Sequence, residues 1–156
     1  MPTYFVDDLK SFKLPSARSS AHLTILSEIV SGQDLTNMVG LPPDEQWDRG
    51  ERPNAPGRFS GYQVDSRLDE SESPAEHLRD LLSRIEPIAN QLRGLVTDGR
   101  ISSTRVWLVH RLPNWNPGLS IPAELIERLN EIGTGIEIDI YVTHPPAPIR
   151  GDVDEQ

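Results

Sequence analysis

The sequence has no cysteine. Disulfide frameworks, thiolate metal sites and cysteine nucleophiles are therefore excluded, and the composition fits an intracellular setting. It also lacks any run approaching the roughly 18 apolar residues of a membrane-spanning helix. No basic start leads into a long apolar stretch, so neither a secretory leader nor membrane attachment is expected, and the location expected is cytoplasmic. Positive charge is scarce: 15 lysines and arginines face 24 aspartates and glutamates, for a net charge of -9. Such a surface repels phosphate backbones, which argues against nucleic acid and for a basic protein as partner. His22, His77, His110 and His144 stand apart, without the close pair that metal sites usually show, so neither metal nor cofactor is expected. His110 reads as a hydrogen-bonded interior residue. There is no G-x-S-x-G elbow, and Gly133 to Gly135 join a helix end to a strand, the reverse of a phosphate-binding order, and read as a turn.

What is present is patterning for one domain. Residues 1–19 read as an extension, 20–144 as a single α+β domain and 145–156, rich in proline and acid, as a disordered tail. Strands are predicted at 21–27, 58–64, 104–112 and 136–143, the second weakened by Gly61. Helices are predicted at 35–39, at 73–96 and at 122–132. The long one opens on Ser73, Pro74 and Glu76, a capping box with proline at the first helical position. Its apolar stripe runs from Leu78 to Val96, and Pro87 must kink or split it. The third helix follows Ser120 as its cap and is expected to bury Leu125, Ile126, Leu129 and Ile132. Together these elements predict a mixed, mainly antiparallel four-stranded sheet with helices on one face, a ferredoxin-like arrangement with an added helix.

Several stretches in this order carry a resemblance. They are "AHLTILS", "DLTNMVGLPPD", Gly50 in "WDRGE", "SPAEHLRDLLSRIEPI" and above all "LNEIGTGIEIDIY". In combination they resemble the bacterial family described as domain of unknown function 4279 over most of 21–141. The resemblance implies a small, compact, cytoplasmic bacterial domain and supplies no catalytic residue. Tyr62 stands where families of this shape commonly show a tryptophan.

Three groups of residues are candidates for a site. In the last strand, Glu137, Asp139 and Tyr141 share the face opposite Ile136, Ile138 and Ile140. They form either a paired-carboxylate site with a phenol donor or a solvated face on which Asp139 pairs with Arg105 or Arg111. Trp115 and Trp47 lie in loop-like sequence, as anchors for a partner or as lids folded back over the sheet edge. Asp69, Glu70 and Glu72 lie in an acidic run that is either a solvated connector or a steering surface for a basic partner. The function expected is a non-enzymatic protein-binding module, in its sharpest form an immunity protein neutralising a basic toxin. A small hydrolase or ligand-binding enzyme around Asp139 is the alternative, and a homodimer through an edge strand or the same face is a third.

Overall fold

The computed structural model describes residues 17–52, 57–113 and 119–142. Along the chain come strand β1 (Arg18–Ser27), helix α1 (Gly32–Val39), strands β2 (Glu45–Trp47) and β3 (Ser60–Asp65), and helix α2 (Pro74–Ile85). A 3-10 turn (Glu86–Ile88) leads into α3 (Ala89–Thr97), followed by β4 (Ser103–Leu112), α4 (Ala123–Ile132) and β5 (Gly135–Val142). The strands form one sheet in the order β2-β3-β1-β4-β5. The neighbours pair antiparallel except β4 and β5, which run parallel.

Period-two burial decides what each face does. In β1, Ala21, Leu23 and Ile25 are fully buried while His22, Thr24 and Leu26 between them are half-buried. Ala21, Leu23 and Ile25 join Tyr62 and Val64 of β3, Val106 and Leu108 of β4, and the inward stripes of all four helices in one core. The other sheet face has no helix on it among the described residues. The α+β layering, the mixed sheet and the one-sided helices are as the patterning implies. The sheet has five strands rather than four, because Glu45 to Trp47 form a short edge strand. Its parallel pair is adjacent, since α4 returns the chain to lay β5 directly beside β4; a ferredoxin-like unit splits that pair, so the strand order departs from it.

Local chemistry explains most boundaries. Ser73 Oγ accepts from the Glu76 amide at 3.2 Å and Pro74 follows it, so α2 starts where expected. Pro87 falls in the 3-10 turn and separates α2 from α3, with the stripe continuing in phase through Ile85, Ile88, Leu92 and Leu95. Val96 lies outside that stripe and is exposed. Helix α1 begins at Gly32, earlier than expected, because the Ser31 side chain accepts from the Asp34 amide. Gly40 and Gly133 end α1 and α4 at φ 76° and 78°, a left-handed conformation in which glycine carries no Cβ penalty. Helix α4 is capped at Pro122, not Ser120, and has no side-chain cap. Ile126 is exposed because it sits about 100° round the helix from Leu125, beyond the stripe of Leu125, Leu129 and Ile132. The termini, residues 53–56 and residues 114–118 with Trp115 lie outside the described residues.

Candidate functional site

Strand register turns the face without helices into a small grid. His22 of β1 stands opposite Asp65 of β3 on one side and Trp107 of β4 on the other, and Trp107 stands opposite Glu137 of β5. An acid, an imidazole, an indole and a second acid therefore cross the middle of the sheet in one row. The His22 and Trp107 rings lie nearly parallel at 17°, with centroids 6.3 Å apart, a cross-strand aromatic pair. Burial pushes the His22 imidazole below its ordinary pKa, an effect that Asp65 opposes and Arg52 reinforces. Burial thus favours the neutral form of the ring. Asp65 is held in place, since its Oδ1 accepts from Gln63 Nε2 at 2.8 Å and its amide donates to Asp44 Oδ2 at 2.7 Å. Burial alone would raise the Asp44 carboxyl, but hydrogen bonds from Arg84 and from the Asp65 amide hold it below the ordinary carboxylate range.

The β5 candidates share this face, with different partners from those expected. Arg105 pairs with Glu137. The Arg111 guanidinium lies over the Tyr141 ring, 5.5 Å from its centroid. Both arginines are thus engaged away from Asp139, which stands opposite Val109 and whose carboxylate makes no ion pair or hydrogen bond with the described residues. The reason is register: Arg111 faces Tyr141 and Arg105 faces Gly135, one step diagonal from Glu137.

Trp47 takes the lid arrangement. It is 5% exposed, in β2 rather than a loop, and its ring lies across Gly61 of β3, where a Cβ would collide with the indole. Gly61 is therefore the residue that admits the lid. Arg52 stacks on the outer side of the ring at 4.4 Å and pairs with Glu45 at 3.1 Å. Asp48 accepts the Gly32 amide at 2.8 Å, tying this edge to the start of α1.

The acidic run is a folded loop. His77 is buried, its Nδ1 2.9 Å from Ser66 Oγ, and its Nε2–H donates to the Asp69 carbonyl at 3.1 Å. The Glu70 carbonyl accepts from the Ser19 amide at 2.8 Å. Hydrogen bonds from Ser71 hold the Asp69 carboxyl below its ordinary range. Glu70, which also pairs loosely with Arg18 at 3.7 Å, joins Ser20, His22, Gln63, Asp65 and Ser66 around a crevice of about 330 Å³. The structure thus brings Glu70 to the His22 row, leaves Glu72 in solvent and keeps Trp47 at the opposite edge. On the covered face, His110 is the interior residue expected, its Nδ1 2.9 Å from Ser19 Oγ, and burial lowers its pKa.

Sequence reading missed His22, Trp107 and Asp65, because each is unremarkable on its own strand and only the register sets them side by side. The signal available was that alternation in β1 and β4 put His22 and Trp107 on polar faces. Chemically, the row offers an imidazole, a flat indole and flanking carboxylates, a surface suited to aromatic, cationic and hydrogen-bonding groups. Among the described residues, no three His, Asp or Glu side chains are placed to share a cation, and no helix is long and apolar enough to cross a membrane.

Fold and face together define a small α+β domain whose mixed sheet is covered on one side and presents a chemically varied face on the other. The chain belongs to the family described as domain of unknown function (DUF4279), whose family model matches residues 17–143. No curated protein and no solved structure matches it.

Proposed function

We propose that the chain is a small acidic bacterial protein-binding module, working in the cytoplasm, that holds a basic protein partner against the open sheet face. The observation that carries this reading is the His22–Trp107 stack at the centre of a face on which no helix packs among the described residues, rimmed by Asp65, Glu137 and Asp139. Aromatic centres with charged rims are the usual energetic anatomy of binding surfaces. A net charge of -9 adds long-range attraction for a basic partner. An immunity protein that neutralises a basic toxin is the sharpest form of this reading.

The test is co-expression with the products of neighbouring reading frames, followed by titration of any complex. Trp107→Ala is expected to weaken the complex by about 2 kcal/mol or more, mainly through faster dissociation. Neutralising Asp69, Glu70 and Glu72 should mainly slow association, as should added salt. A tight complex indifferent to Trp107→Ala and to Trp107→Phe, in variants that still fold, would overturn the reading.

One observation favours a second reading, a small hydrolase or ligand-binding enzyme on the same face. Burial favours the neutral form of His22, which stands opposite Asp65 and lies within electrostatic reach of Asp139. A hydrolytic activity lost equally in His22→Gln and Asp139→Asn would establish that alternative.

A further inference from the structure

The outer edge of β5 is built differently from an ordinary sheet edge. Natural edges are blunted by brevity, by proline, by charged side chains and lysine above all, or by a bulge, because an unpaired strand is a template for another. β5 runs eight residues, GIEIDIYV, with no proline and no basic side chain. Its pairing to β4 is unbroken from Gly135 to Val142, so it has no bulge. No described residue pairs with its other side, and alternate backbone amides and carbonyls along that side point outward.

The side chains flanking this edge are of two kinds. Toward the helices, Ile138, Ile140 and Val142 are 40%, 41% and 37% exposed, although they continue the apolar face of the sheet. Toward the open face stand Glu137, which pairs with Arg105 of β4, Tyr141, under the Arg111 guanidinium, and between them Asp139, which has no cation of its own among the described residues. An incoming strand would meet isoleucines on one face and, on the other, the Asp139 carboxylate between Glu137 and Tyr141.

We infer that the β5 edge is a docking site for an extended segment of a protein partner, one in which apolar and basic residues alternate. Its backbone would continue the sheet, its apolar side chains would lie beside Ile138 and Ile140, and its basic ones beside Glu137 and Asp139. A second copy of this chain fits less well. The two-fold registers that pair most of β5 with itself set Glu137 opposite Asp139 of the other copy, or Asp139 opposite its counterpart, and like charges directly opposite are unfavourable. The inference rests on the binding-module reading and adds the partner's chemistry and the place it occupies.

The experiment uses the full chain and a synthetic peptide of alternating lysine and valine matching β5 in length. Amide chemical shifts should change along 135–142, and outward amides there should exchange more slowly with solvent. Three controls are expected to bind about tenfold more weakly or worse. One is a peptide of the same composition with lysines and valines in separate blocks, the second is the alternating peptide with every second amide N-methylated on the edge facing β5, and the third pairs the original peptide with Ile140→Lys protein. Equal binding by the blocked peptide would reduce the effect to bulk charge attraction and overturn the inference. So would an absence of binding, shifts confined to the His22–Trp107 row, or dimerisation of the chain through β5 seen by sedimentation. The Trp107→Ala titration is independent of these outcomes, so failure at the edge is distinguishable from failure of the open-face reading.

Discussion

The two edges of the sheet solve the same problem in opposite ways. At the β2 edge the strand is three residues long, and the Trp47 ring packed on Gly61 seals it, with Arg52 stacked outside and Asp48 tied to the start of α1. At the β5 edge the strand is eight residues long and regular, and Ile138 and Ile140 stand about two-fifths exposed. Residue type does not explain the difference, since isoleucine is at least as good a strand former as the residues of β2. The difference is that at one edge a large side chain lies across a glycine of the neighbouring strand, whereas at the other no described side chain lies over Gly135. A sealed edge is part of the folding unit; an open one is surface held in reserve.

That contrast can be broken by mutation. The largest effect is expected from Trp47→Ala, which should destabilise the fold by about 3–5 kcal/mol because a buried indole is removed and its neighbours close the gap only in part. Denaturant unfolding measures it; a loss below about 1 kcal/mol would mean that the seal contributes little. Gly61→Ala comes next, at about 1–3 kcal/mol, since its methyl group has to displace the ring. In a Trp47→Ala background the same substitution should be nearly neutral, and a double-mutant cycle showing no such coupling would separate the two residues. The smallest effect belongs to the open edge. Ile140→Thr should change stability by no more than about 0.5 kcal/mol, as at an ordinary surface position. A cost approaching that of a core isoleucine would show that β5 is covered in the folded chain, and the two edges would then be alike.

How much of this was readable beforehand depends on the range of the interaction involved. The Ser73 cap, the α2 stripe and the Gly133 stop follow from neighbours within a turn or two, and they stand where the residues placed them. The alternation of β5 likewise separates Ile136, Ile138 and Ile140 from Glu137, Asp139 and Tyr141. β2 was not readable, because three residues carry no periodicity and Trp47 is held by a glycine in a different strand. The pairing of Asp139 with an arginine was a reasonable local expectation that the register diverted, sending Arg105 to Glu137 and Arg111 to Tyr141.

The sequence by itself determined the class of fold, the positions of the main helices and strands, the acidic balance and the two-faced character of β5, because helix period, strand period, caps and net charge are local or additive properties. Only the tertiary structure decided that His22, Trp107 and Asp65 stand in one row, that Trp47 is a lid and that β5 lies at an edge. Those facts depend on which strands pair and in which register, and pairing is settled by the burial of the whole sheet against its helices, a long-range free energy that no single stretch of residues carries.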